Sequence, residues 1–151
     1  MLDIKKLDIN LIVKSKERLK QYLDICLKEN VPNITDEDVE KYFSNMEKFT
    51  EEGSAIVIGA FWDNVLVGFQ WAYEVEYGGE KRLHSSFDCV DPQFQRRKIG
   101  TQMMEKLEEI ARNKGITSIE AMCTATNKKA VEYHLNNGFE IERYKVVKKL
   151  S

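Results

Sequence analysis

Apolar and polar positions alternate from Leu7 to Val13, with Leu7, Ile9, Leu11 and Val13 on one side and Asp8 and Asn10 on the other. A period of two predicts a first strand there. From Ser15 the spacing becomes helical. Leu19, Tyr22, Leu23, Cys26 and Leu27 form one stripe, Ser15 offers an N-cap, and Asn30 and Pro32 mark the stop. Thr35 then caps a second helix whose first turn holds Asp36, Glu37 and Asp38, charges that suit the helix dipole. Val39, Tyr42, Phe43, Met46 and Phe49 are its apolar stripe, which serves a core or roofs a cleft, and Gly53 follows its end.

The β-rich runs Ala55–Phe61 and Val65–Val75 are joined by Asp63-Asn64, a hairpin signal. Gly78-Gly79 makes the next turn, and Arg82–Val90 is the following strand, completing an antiparallel meander. A helix from near Ile99 buries Ile99, Met103, Met104, Leu107, Ile110 and Ala111 and stops at Gly115. Thr117–Cys123 is a short strand that follows a strand–helix unit, so a parallel crossover beside the Arg82–Val90 strand is expected. Asn127 caps a last helix, Lys128–Asn136, and Phe139–Leu150 supplies one or two final strands. The order β-α-α-β-β-β-α-β-α-β predicts an α/β fold around a mixed sheet.

Composition adjusts this picture in a few respects. A chain of 151 residues fits one domain, 1–151, with room for a core. No apolar run approaches a membrane span, and M-L-D-I-K-K lacks the apolar stretch of a signal peptide, so a cytoplasmic protein with no membrane partner is expected. Cys26, Cys89 and Cys123 read as reduced thiols, and with only two histidines no metal-ligand spacing appears; no metal is expected. The net charge of −2 argues against nucleic acid as a partner.

Against that acidic background, the turn Arg96-Arg97-Lys98 before the Ile99 helix stands out. Three cations and the unpaired amides of a helix N-terminus form an anion site, suited to a phosphate. On the strand before it, alternation puts Leu83, Ser85, Phe87 and Cys89 on one face and His84, Ser86, Asp88 and Val90 on the other. Polar groups on a central strand need partners, water or a substrate. His84, with a reference pKa near neutrality, is a candidate base or a structural histidine, and Glu74, Glu76 and Glu120 compete for the role. His84, Ser86 and Asp88 are no triad, since alternate strand positions lie roughly 7 Å apart.

These residues carry a resemblance. Val90-Asp91-Pro92-Gln93-Phe94-Gln95-Arg96-Arg97-Lys98-Ile99-Gly100 resembles the acyl-CoA signature of the GNAT superfamily of N-acetyltransferases, and Asn127–Phe139 is similar to its following motif. The element order matches across nearly the whole chain. The resemblance implies a single-domain GNAT-like fold, a central, mostly antiparallel mixed sheet flanked by about four helices. It implies acetyl-CoA as cosubstrate, held by Cys89, Val90, Gln95, Arg96, Arg97, Lys98, Ile99, Gly100, Thr101 and Asn127.

In the family's phosphate loop a glycine usually stands where this chain has Lys98. Lysine offers its N–H there as long as its dihedrals stay helical. The resemblance also implies that the strand ending at Cys89-Val90 parts from its neighbour near Ala121–Cys123. Pantetheine then pairs with the exposed backbone, and the Val90 amide serves as oxyanion donor. The family's general acid, a tyrosine four residues before Gly-Phe, falls on His134, with Tyr133 adjacent and about 100° away around the helix. His134 is the preferred acid, Tyr133 the rival.

The reaction implied is direct transfer of acetyl to a primary amine, with His84 and His134 catalytic. The acceptor is expected to be a small molecule, with a peptide or protein amine as the rival. A non-catalytic acyl-CoA-binding module is the remaining reading. A homodimer through the last strand is a possible assembly.

Overall fold

The computed structural model describes all 151 residues. Five strands form one sheet in the order β1-β2-β3-β4-β5: β1 (Leu2–Lys6), β2 (Ala55–Trp62), β3 (Val65–Tyr77), β4 (Glu80–Val90) and β5 (Ile119–Ala121). The first four are antiparallel neighbours, and β5 joins β4 in parallel. Five helices flank the sheet: α1 (Ile9–Lys14), α2 (Lys16–Asn30), α3 (Asp36–Glu51), α4 (Ile99–Asn113) and α5 (Lys128–Asn136).

Both hairpin turns form as the sequence requires. Asp63 and Asn64 take φ of 49° and 68°, and Gly78 and Gly79 take 58° and 83°, the left-handed conformations that tight antiparallel turns demand. The α4 crossover makes β5 parallel, as expected from a strand–helix–strand unit.

Each sheet face has its own core. Leu7, Ile12, Leu19, Leu23, Phe43 and Met46 pack with Val57, Phe69, Trp71 and Cys89 on the face covered by α1, α2 and α3. On the other face Ile99, Met103, Met104 and Leu107 of α4 pack with Ile56, Ile58 and Leu83.

Three expectations are corrected. Leu7–Val13 is not a strand; β1 is the preceding Leu2–Lys6, paired with β2. Asp8 accepts the Leu11 amide at 2.9 Å and caps α1, which buries Ile12 and leaves Val13 half exposed. The polar residue that marks the outer face of a strand is here the one that starts a helix. The strand within Thr117–Cys123 is shorter than expected, Ile119–Ala121.

No strand forms in Phe139–Leu150. Its Ile141, Tyr144, Val146, Val147 and Leu150 are all exposed. A three-residue β5 offers too little edge for a further ladder. Residues 137–139 instead donate their amides back to α5 carbonyls. Beyond them, Glu142 is tied to Arg82 by two bonds of 2.8 and 2.9 Å.

Candidate active site

Three features meet around the end of β4. The first is a gap in the sheet. β5 pairs only with Leu83, His84 and Ser85, so beyond Ser85 β4 keeps β3 on one side and no strand on the other. The Asp91 amide bonds the Val67 carbonyl of β3 at 2.7 Å. Successive strand residues direct their backbone groups to opposite sides, so the Val90 amide faces the gap. The Gln95 carboxamide reaches the Val90 carbonyl at 3.4 Å.

The second feature is the start of α4. It has no side-chain cap and no acid in its first turn. Gln102 makes the first helical bond, to the Lys98 carbonyl, so the Ile99, Gly100 and Thr101 amides lack backbone acceptors. Arg96, Arg97 and Lys98 are exposed in front of it. The condition that Lys98 keep helical dihedrals is not met. Its φ of 60° and ψ of 24° are left-handed, as is Arg96 with φ of 67°. This is the conformation a glycine adopts without strain.

The third feature is a β-bulge. The register of β3 against β4 slips between Trp71–Phe87 and Ala72–Ser85, leaving Ser86 as the extra residue. The simple alternation along β4 is therefore wrong beyond it, because a bulge re-aims every later side chain. His84 faces the same way as Phe87 and Cys89, toward α2 and α3. Leu83, Ser85, Asp88 and Val90 face α4 and α5, consistent with the partners each one packs against.

His84 is buried, 7% exposed, with Nδ1 2.7 Å from Glu120 Oε2 and its ring 5.1 Å from that of Tyr73. The pair stands one register step before β4 and β5 part. A carboxylate on one ring nitrogen fixes the imidazole and leaves Nε2 for proton transfer. Beside it runs an aromatic wall, with Phe87 stacked on Trp71 at 5.7 Å and edge-on to Tyr42 of α3 at 5.7 Å.

On the opposite face, Tyr133 directs its hydroxyl at the start of α4. A Cβ built on Gly100 would lie 3.4 Å from Tyr133 Oη. The hydroxyl also neighbours the buried Asp88 carboxylate, yet neither Tyr133 Oη nor Asp88 Oδ2 has a well-aligned hydrogen-bond partner. Burial pushes the Asp88 carboxyl up to about 7, with the Tyr133 hydroxyl pulling the other way. Burial, followed by the charge of Asp88, drives the Tyr133 phenol well above its ordinary value.

His134 is differently occupied. Its Nδ1 donates to the Ala130 carbonyl at 2.8 Å, and its ring packs edge-on against Phe139 at 5.0 Å.

The remaining sequence-derived residues divide by what their side chains do. The Arg97 guanidinium lies 5.1 Å from the rings of both Trp62 and Phe94, held by cation–π contacts. Gln95 is also bonded by Lys129 at 3.0 Å. Ile99 and Cys89 are buried, so a ligand meets only their backbone. Asn127 uses its side chain to cap α5 at the Ala130 amide. Thr101 is half-buried in the first turn of α4. No cluster of three or more His, Cys, Asp or Glu side chains is arranged to hold a metal. No helix is long and apolar enough to cross a membrane.

Sequence reasoning passed over Asp88 as a site residue. The available signal was an acid between Phe87 and Cys89 on a central strand. Its aim toward Tyr133 depends on the bulge, which is set by cross-strand register.

The sheet opens beside β4, directly ahead of an uncapped and cation-fronted helix, within an α/β scaffold. Residues 17–139 match the profile of the acetyltransferase (GNAT) family. The chain belongs to that family. An uncharacterized N-acetyltransferase of Methanocaldococcus jannaschii is 32% identical over 101 residues, 66% of this chain and 44% of its own length. The chain thus matches under half the length of that relative.

Among solved structures, an aminoglycoside acetyltransferase from an uncultured soil metagenomic sample, in complex with sisomicin, superposes with a TM-score of 0.77. It is 18% identical, over 99% of this chain and 95% of that one. The aminoglycoside N-acetyltransferase AAC(6')-Iy in complex with CoA gives 0.74 at 20% identity, with the same coverage. A ribosomal-protein-alanine N-acetyltransferase from Brucella melitensis gives 0.73 at 14% identity, over the whole of both chains. At such identities the likeness shows the fold.

Proposed function

We propose that this chain transfers acetyl from acetyl-CoA to a primary amine of a small molecule, by direct attack in a ternary complex. The observation that carries the proposal is the free β4 edge beyond Ser85, leading straight into the open N-terminus of α4. Pantetheine amides fit such an edge as an added strand, and the pyrophosphate fits the unpaired amides of Ile99, Gly100 and Thr101. Arg96, Arg97 and Lys98 add charge, and Gln95, Cys89 and Asn127 shape the backbone around them. The Val90 amide then serves the thioester oxygen as oxyanion donor.

The two sheet faces divide the proton work. His84, fixed by Glu120, takes a proton from the amine on the α2–α3 side. Tyr133 gives one to the leaving thiolate on the α4–α5 side. The geometry favours Tyr133 over His134 for this role, because the Tyr133 hydroxyl lies at the start of α4, whereas the His134 ring is held by Ala130 at Nδ1 and by Phe139 on its edge, with only Nε2 left. A phenol held above its ordinary pKa keeps its proton until the thiolate departs. Few catalytic groups are needed, since holding amine and thioester together supplies much of the acceleration. The aromatic wall of Tyr42, Trp71 and Phe87 suits a compact acceptor, and the likeness to aminoglycoside acetyltransferases supports a small-molecule amine.

The test is thiol release from acetyl-CoA against polyamines, aminoglycosides, amino acids and peptides. Turnover with a small amine supports the reading. Transfer to peptides alone overturns the acceptor class, and CoA binding without any turnover overturns the enzyme. Tyr133→Phe should lower kcat by about 10²–10⁴-fold and His134→Gln by less than about tenfold. The reverse order returns the role to His134.

A further inference from the structure

Three buried polar atoms share the face between the sheet and α4–α5, and none has a well-aligned hydrogen-bond partner: Gln70 Oε1, Asp88 Oδ2 and Tyr133 Oη, although the last two are neighbours. Gln70 and Asp88 lie directly opposite each other on β3 and β4. The Gln70 amide nitrogen is already turned to Ser85 Oγ at 3.4 Å and Met104 Sδ at 3.7 Å, so it presents its oxygen. With Asp88 ionised, the group holds two acceptor-only atoms and one hydroxyl. A buried acceptor without a donor costs on the order of 1–3 kcal/mol. A proton on Asp88 supplies the missing donor.

We infer that Asp88 is a positioning residue for proton delivery: protonated, it donates to Tyr133 Oη and leaves the Tyr133 hydrogen free for the departing thiolate. Ionised, the same carboxylate competes with the thiolate for that hydrogen. The inference rests on the acetyl-transfer reading and on Tyr133 as its acid. In the transfer step the Tyr133 O–H bond breaks as the S–H bond of CoA forms. The phenolate, still holding the hydrogen bond from Asp88, then regains its proton from solvent.

The surroundings favour this assignment. The titratable groups about the pair are Tyr133 itself from α5, Glu108 from α4 and, across the sheet, Cys26 from α2; β3 contributes the uncharged Gln70. No cation is among them, so only the Tyr133 hydroxyl opposes the desolvation that lifts the carboxyl to about 7.

Infrared difference titration of the intact protein tests the protonation without calling on activity. The expected result is a protonated-carboxyl band that disappears as pH rises through neutrality and is absent from Asp88→Asn. Its midpoint should move upward in Tyr133→Phe, which removes the group that lowers it. If the band is missing above about pH 5, Asp88 is an ordinary ionised carboxylate and the inference fails.

Kinetics then read the role. Wild-type kcat should fall as pH rises through neutrality. In Asp88→Asn, whose carboxamide donates at every pH, kcat should stay within about threefold at pH 6, the alkaline fall should vanish, and KM for acetyl-CoA should not change. Asp88→Leu, with no donor, should lose about tenfold or more in kcat at the same KM. An unchanged alkaline limb in Asp88→Asn overturns the inference. If the wild type shows the band and its Tyr133-dependent shift but releases no thiol, the acetyl-transfer reading fails while the pair stands.

Discussion

At the start of α3, Thr35 accepts the Asp38 amide at 3.2 Å, while Asp38 accepts the Thr35 amide and hydroxyl, each at 2.9 Å. Asp36 and Glu37 add negative charge to the same turn. At the start of α4 there is no capping side chain, no acid, and a run of cations. Every helix begins with orphan amides and a partial positive charge. α3 answers both from its own sequence, with the Asp38 amide bonded by Thr35 and three acids in the first turn. α4 satisfies neither, which is why its end is the proposed pyrophosphate site. The contrast separates a terminus that is capped from one that is proposed to bind.

Obstructing the open end should have the largest effect. Gly100→Glu adds a carboxylate among the amides proposed to hold the pyrophosphate. CoA affinity should fall on the order of a hundredfold or more by calorimetry, with the circular dichroism of the fold retained. Gly100→Ala is the control, since its Cβ meets Tyr133 Oη only at van der Waals distance, 3.4 Å. Unchanged CoA affinity in the glutamate variant would remove α4 from the site.

Much of this contrast can be read from the sequence because caps are local. Thr35 followed by three acids, and the basic turn ahead of an apolar helix stripe, are visible without any fold. The hairpin turns at Asp63-Asn64 and Gly78-Gly79 and the Asn127 cap are legible for the same reason. What was not legible depends on distant partners. Asp8 looked like the polar side of a strand until β1 occupied the place beside β2. The Ser86 bulge exists only in the register with β3, and it decides that His84 and Asp88 face opposite ways. The choice between Tyr133 and His134 depends on the residues behind α5, where Phe139 folds back onto the imidazole.

Weakening the closed end should give a moderate effect of the opposite kind. Thr35→Ala removes one half of the capping box and should cost about 1 kcal/mol, a shift of about 2–4 °C in Tm, with KM for acetyl-CoA unchanged. The same box carries a pH dependence whose sign is fixed. The Thr35 amide first, and its hydroxyl second, hold the Asp38 carboxyl below its usual range. A depressed pKa contributes stability above the unfolded value of about 3.9, and that contribution is lost as pH falls through the folded value. Urea midpoints should therefore drop less on acidification in Asp38→Asn than in the wild type. An equal drop would mean that the box contributes nothing.

The smallest expected effect lies at Lys98, where the two requirements collide. Its left-handed conformation is needed to turn the loop into α4, and a lysine pays about 1–2 kcal/mol for it where a glycine pays nothing. Glycine brings back about 0.5–1 kcal/mol of chain entropy in the unfolded state. Lys98→Gly should then raise stability by about 0.5–1 kcal/mol, or a few degrees at most in Tm. In exchange the binding end loses one exposed cation. The salt dependence of CoA binding should become shallower, while affinity at high salt stays the same, because screening already removes that charge there. A drop in CoA affinity that persists at high salt would show that the lysine side chain contacts the ligand directly. Its retention at a glycine position would then be explained by binding, at the expense of the fold.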